Sequence, residues 1–213
     1  PPPPPPPIHD PAPTDNYTGD TSSAASDVYK RQILDGTDCV MLSGETAMGQ
    51  FPIESVAVMT RIAQVMEEYD HPHDVPHMLE QAHERGDISK ADLISLSIYK
   101  TVAAVKPIVV VTPTLSGNTA RKVCRFRPKA WIVAVSPNEA TCQNLQFSYG
   151  VHQVYETERP HSWEAYVRGL LNHYGMNAGL IVMTTGHTTA DTGGTNRIEI
   201  IDLLEPTSDR RLW

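Results

Sequence analysis

Apolar positions along this chain gather into short continuous runs, separated by polar breaks that carry glycine or proline. "PIVVVTPT", "AWIVAVSP" and "GLIVMTTGH" each hold a run too short for an ordinary helix and rich in β-branched residues. That is the pattern of strands buried on both faces. "VHQVYE" reads as a weaker strand, and "RIEIIDL" as a last one reached through a long Thr/Gly loop. Between them "SGNTARKVCRFRP", "NEATCQNLQFSYG" and "SWEAYVRGLLNHYG" read as helices, with Pro128 closing the first and Gly150 capping the second. A further helix, "KADLISLSIYKTVAAVKP", precedes the first strand, its apolar face supplied by Leu93, Ile94, Leu96, Ile98, Val102 and Val105. Strands alternating with helices predict an α/β fold: a three-layer, mostly parallel sheet with helices on both faces.

Upstream, Cys39 to Leu42 form another short apolar run, expected to be a buried strand. Ser43, Gly44, Glu45 and Thr46 then place small and polar groups at its carboxyl end. Pro52 suits the first turn of a helix in which Ile53, Val56, Val58, Met59, Ile62, Val65 and Met66 recur at helical spacing. Strand, polar loop and helix make half of a βαβ unit, in which ligands gather outside the carboxyl ends of strands. A plain connection without a site fits the pattern equally well.

The wording of that stretch is more specific than its pattern. "LDGTDCVMLSGETAMGQFPIESV" closely resembles the end of the catalytic barrel of pyruvate kinases, where the eighth strand meets its helix. The chain onward to about Leu203 resembles, in order, that family's carboxyl-terminal domain. The resemblance implies a strand and helix from the end of a (β/α)8 barrel at residues 33–69, a linker at 70–88, the α/β domain at 89–205 and a tail at 206–213. It also implies a parent reaction, glycolytic conversion of phosphoenolpyruvate and ADP to pyruvate and ATP, with Mg2+ and K+, in a homotetrameric, allosterically regulated, cytoplasmic enzyme.

Residues 1–32 stand outside the resemblance. Seven prolines lead into a Ser/Thr/Asp-rich stretch without apolar periodicity, a composition expected to be disordered. "SSAASDVYKRQ", Ser22 to Gln32, is the in-frame translation of a common transposon sequencing adapter. The leader is therefore expected to be a scar of library construction and is excluded from fold reasoning.

Charge and cysteine content narrow the class. A formal charge of −8 without a basic run argues against nucleic acid or an anionic membrane surface as the main partner. No apolar stretch approaches the roughly 20 residues that span a bilayer. Cys39, Cys124 and Cys142 are widely spaced and odd in number, so buried reduced thiols are expected rather than disulfides or a metal site. His71, His73 and His77 lie near Asp70 and Asp74, but Pro72 and Pro76 break any helix that would align them. A solvated connection between domains is the better reading.

Two segments carry candidate chemistry. In "TPTLSGNTAR" a buried strand ends in a loop of Thr114, Ser116, Gly117, Asn118 and Thr119 and enters a helix. Backbone N–H groups at a helix start and convergent hydroxyls suit a phosphate, although ordinary Ser/Thr capping explains the same residues. By resemblance this is the "T-x-S-G-x-[ST]" loop on which many pyruvate kinases hold the phosphate of a sugar-phosphate activator, with Asn118 where many members have Arg. The second segment, "GHTTADTGGTNRIEI", corresponds to the loop that closes over the activator, through Gly193, Gly194 and Thr195. A flexible connection is the alternative, and Asp191 within it would not attract phosphate. Arg125 and Arg127 of "RFRP" sit at a helix end, where cations favour the carboxyl dipole. Trp163 and Tyr166 are expected to be packing aromatics.

No catalytic or metal-binding residue is assigned. In pyruvate kinases these come from barrel strands with no counterpart here, and Ser43 to Thr46 are only a rim segment of such a site. The expectation is a pyruvate kinase fragment that carries the regulatory and oligomerisation domain, is inactive alone and binds neither Mg2+ nor K+. The alternative is a free-standing module that senses a phosphorylated metabolite. The remnant strand, lacking neighbours, is expected to expose its apolar faces.

Overall fold

A computed structural model describes residues 24–69, 89–176, 179–186 and 195–204. The expected linker, its histidines, Gly193 and Gly194 lie outside the described residues, as do most of the leader and the tail. The chain divides into two compact units, Pro1–Pro72 and His73–Trp213.

The second unit is the expected α/β domain. Helix α4 (Lys90–Val105) leads into β1 (Val109–Pro113), α5 (Asn118–Cys124), β2 (Trp131–Ser136), α6 (Glu139–Leu145) and β3 (Val151–Tyr155). Then come α7 (Trp163–His173), β4 (Leu180–Gly186) and β5 (Thr195–Asp202). The sheet has the order β3-β2-β1-β4-β5. Its first four strands are parallel and β5 is antiparallel to β4.

The continuous valine run of β1 has a simple cause: this strand lies at the centre and is covered on both sides. Val110 faces a cluster built with Ile98 and Val102 of α4, Val123 of α5 and Leu145 of α6. Val109 and Val111 face the other cluster, with Val167 and Leu171 of α7 and Ile181, Met183 and Ile201 of the neighbouring strands. Burial of each such side chain contributes roughly 1.5–3 kcal/mol. Helices α4, α5 and α6 thus cover one face and α7 the other, which gives three layers.

Three details differ from the sequence expectation. The α4 face pointing inward includes Asp92 and Ser95, while Leu93 is 51% exposed. Helix α6 ends at Leu145, so Gly150 does not cap it. Gly150 takes φ 64 in the later turn, where its carbonyl accepts the Ile132 N–H. Cys124 and Cys142 are buried free thiols as expected, but Cys39 is exposed.

The first unit departs further. Helix α1 (Ala24–Leu34) lies inside the segment expected to lack periodic structure and runs past its boundary. Asp27 in its first turn and Arg31 in its last suit the helix dipole, and Lys30 pairs with Asp27 at 3.1 Å. Helix α2 (Gly44–Ala47) is a single turn, and α3 (Pro52–Glu67) starts at its proline as expected. The strand expected at Cys39 to Leu42 does not form. A strand needs a neighbour to satisfy its backbone groups, and the described elements of this unit are all helices. Its apolar side chains accordingly lie open: Met41 and Ile53 are 78% and 80% exposed, and Met59 is the buried residue of α3.

Candidate functional site

Topology selects one edge of the sheet. β1 is flanked by β2, reached through α5, and by β4, which comes later in the chain. Its carboxyl end is therefore a switch point of the strand order, where open α/β sheets form a crevice. The loop from Thr114 to Gly117 leaves β1 there. Because β5 is antiparallel, its first residue, Thr195, is delivered to the same edge, paired with Gly186 at the end of β4.

The two segments singled out from sequence consequently meet. Thr119 Oγ1 and Thr195 Oγ1 are 2.6 Å apart, across 76 positions of chain. The rest of the loop is fastened from three sides. The Thr114 N–H donates to Val135 O of β2 at 2.9 Å. Thr114 Oγ1 accepts from the Gly117 N–H at 2.9 Å, and Thr141 Oγ1 of α6 donates to Leu115 O at 2.8 Å. Ser116 and Asn118 are exposed, whereas Thr114, Thr119 and Thr195 are half-buried.

Gly117 is required by this geometry. It precedes α5 with φ 78, in the left-handed region, and a Cβ there would lie 3.0 Å from Leu145 Cδ2. No side chain caps α5, which is only seven residues long and offers a weak dipole. The hydroxyls, more than the helix end, define what this edge can bind: an oxygen-rich ligand able to accept several short hydrogen bonds.

One residue escaped the sequence reading. Arg121 folds back so that Nη1 donates to Ser116 O at 3.0 Å, bringing a permanent positive charge to the loop. Its spacing, four residues after Gly117 on the same helix, was the available signal. By contrast, the RFRP arginines are committed elsewhere. Arg125 Nη2 lies 3.3 Å from Asp92 Oδ1, and Arg127 sits over the Tyr149 ring, 4.1 Å from its centroid. Trp163 and Tyr166 form an edge-on pair, centroids 5.8 Å apart, packed against the second core cluster.

Helix α5, which carries Thr119, is anchored to the start of α4 by Asp92. The carboxylate accepts the Ser89 N–H while Ser89 Oγ accepts the Asp92 N–H, a capping box, and the carboxylate accepts the Ser89 Oγ–H as well. It also receives Lys122 Nζ at 3.0 Å on each oxygen. Burial alone would raise its pKa, but the hydrogen bonds from Ser89 and Lys122 outweigh this and hold it at about 2.

Ser43 to Thr46, in the first unit, gather into a different arrangement. Glu45 Oε2 accepts the Ser43 N–H at 3.0 Å and Oε1 the Tyr29 hydroxyl at 3.3 Å. Backbone N–H groups of Glu45 itself and Ser43 hold its carboxyl below the usual range. Gly49 is needed close by, since a Cβ would stand 2.3 Å from Glu45 O. All four rim residues are exposed. Among the described residues no group of three His, Cys, Asp or Glu side chains converges.

Among the described residues no helix is long and apolar enough to cross a membrane. Comparison with known proteins matches residues 92–201 to the family model for the pyruvate kinase alpha/beta domain, and residues 11–56 to that for the pyruvate kinase barrel domain. The barrel match thus begins within the segment expected to be foreign. A pyruvate kinase of Geobacillus stearothermophilus is 38% identical over 191 residues, covering 84% of this chain and 31% of the relative. One from Thermococcus litoralis is 36% identical over 176 residues, 80% of this chain and 36% of the relative. Pyruvate kinase 2 of Synechocystis is 32% identical over 198 residues, 91% of this chain and 31% of the relative. The chain spans about a third of the length of the curated relatives it matches. With its alpha/beta domain matched from Asp92 to Ile201 and part of the barrel model matched before it, this chain belongs to the pyruvate kinase family.

Proposed function

We propose that this chain is the regulatory and oligomerisation portion of a pyruvate kinase, with a phosphate-binding edge at the carboxyl end of β1. The ligand is a sugar phosphate or another phosphorylated metabolite. Thr114, Ser116, Asn118 and Thr119 supply donors from the loop, Gly117 allows close backbone approach, and Thr195 supplies a hydroxyl from β5. The observation that carries this reading is the 2.6 Å contact between Thr119 and Thr195, which joins two segments of the edge. Arg121 offsets in part the charge absent at Asn118 and contributes an anion-attracting field at the loop. Gly193 and Gly194 precede Thr195 and belong to the same proposal as a closing loop.

The parent reaction is phosphoryl transfer from phosphoenolpyruvate to ADP, with Mg2+ and K+, in a homotetramer. Such transfer needs carboxylates that hold the metal and a cation over the moving phosphoryl group. This portion contributes none of them and has no turnover or metal requirement of its own. The division of the chain at residues 33–69, 70–88 and 89–205 is part of the same proposal.

Calorimetric titration of the whole chain with a hexose bisphosphate, at low and at physiological salt, tests the binding claim. Saturable binding that weakens with salt is expected. Absence of heat at millimolar ligand in both buffers would remove the effector reading.

A further inference from the structure

The half-buried imidazole of His152 takes no part in the edge described above. It lies on β3, an outer strand of the sheet, where its register partner on β2 is the buried Val133. His152 Nε2 is 2.8 Å from Tyr174 Oη, and the two rings stand edge-on with centroids 5.3 Å apart. Tyr174 is the residue that ends α7. Beyond the far end of β3, Glu156 accepts the hydroxyl of Tyr166, in the first half of the same helix. Side chains therefore fasten α7 to the outer strand at two places, in addition to the apolar contacts of Val167 and Leu171.

The two fastenings differ in charge. The titratable groups on the elements around His152 are Glu164, Tyr166, Arg168, His173 and Tyr174 of α7, Glu139 and Cys142 of α6, Tyr155 of β3 and Glu156 after it. Glu156 is engaged by Tyr166, and Glu164 is paired with Arg168 at 3.2 Å. Among the described residues no carboxylate acts on the imidazole, and burial lowers its pKa from the ordinary 6.5.

We infer that the His152–Tyr174 contact is an acid-sensitive latch, whose protonation releases the C-terminal turn of α7 from the outer edge of the sheet. A neutral imidazole shares one hydrogen bond with the tyrosine hydroxyl. An imidazolium can still donate to that oxygen, but its charge then sits half-buried with no carboxylate among the described residues to compensate it. Opening of the helix end hydrates the charge, so each fall in pH through the imidazole's titration shifts the population toward the open form. The Tyr166–Glu156 contact holds the first half of α7, so the helix loosens from its C-terminal end rather than detaching.

Two measurements on the full chain test this. Histidine-selective NMR should place the His152 titration below the ordinary value, and amide exchange at residues 170–174 should report opening. After correction for intrinsic rates, exchange there should rise at least about threefold from about pH 7.5 to about pH 5, while the Val109–Val111 strand stays unchanged. His152→Phe keeps the ring contact and should abolish the rise. Should that variant not fold, His152→Gln, which retains a donor for Tyr174 without a titrating group, serves the same purpose. An imidazole titrating at or above 6.5 overturns the latch. So does a rise that persists in the folded variant, or its absence in the wild type.

Discussion

Replacing Asp92 by asparagine keeps the shape of the side chain but removes the charge that Lys122 and Arg125 converge on. The native carboxyl is held at about 2, against 3.8 for a free aspartate. Nearly two units, at about 1.4 kcal/mol each, give a loss of about 2.5 kcal/mol. Breaking a fully buried pair costs about 3–5 kcal/mol. The lower figure applies because the side chains of Lys122 and Arg125 are 25% and 45% exposed and can turn to water. A carboxyl with a depressed pKa contributes its stability above the unfolded value and loses it as pH falls through the folded one. The gap between wild type and Asp92→Asn should therefore be full above pH 5 and narrow toward pH 2. Urea unfolding followed by tryptophan fluorescence suits the test, since Trp131 and Trp163 both pack against the second core cluster. A difference below about 0.5 kcal/mol at pH 7, or one that is as large near pH 2, would show that the Asp92 charge does not stabilise the fold.

Two other substitutions probe the edge of the sheet. Gly117→Ala forces a side chain into the left-handed region and against Leu145, so it should cost about 1–2 kcal/mol in the same urea assay; a neutral or stabilising effect would contradict the assigned backbone. Thr119→Val and Thr195→Val should each weaken hexose bisphosphate binding, on the order of tenfold for one lost hydrogen bond to a charged group. Because the two hydroxyls touch, their effects should be non-additive in a double-mutant cycle, and strict additivity would separate them.

Much of the second unit was legible because its strands are covered on both faces. The runs Val109–Val111, Ile132–Val135 and Leu180–Met183 leave little room for another reading, and the polar break after β1 marked the edge to examine. What the chain order alone could not show was which segment would lie beside that break. The answer depends on β5 running antiparallel and bringing Thr195 back to the carboxyl edge. Ile94, Ile98, Val102 and Val105 of α4 face the core as their spacing suggested, but Asp92 was missed because its partners, Lys122 and Arg125, come some thirty residues later. Arg121 was in plain view but owes its place to a loop carbonyl that only the turn at Gly117 presents. The run from Cys39 to Leu42 has the composition of a buried strand; composition cannot supply the neighbouring strands that would make it one, and the backbone there stays irregular.

We propose that this chain keeps a folded, phosphate-binding domain of a pyruvate kinase and transfers no phosphoryl group on its own. The most direct measurement is ATP formation from phosphoenolpyruvate and ADP by the purified chain, with Mg2+ and K+, in the presence and absence of a hexose bisphosphate. No conversion above the protein-free background is expected in either condition. Turnover that scales with the amount of chain would contradict this proposal.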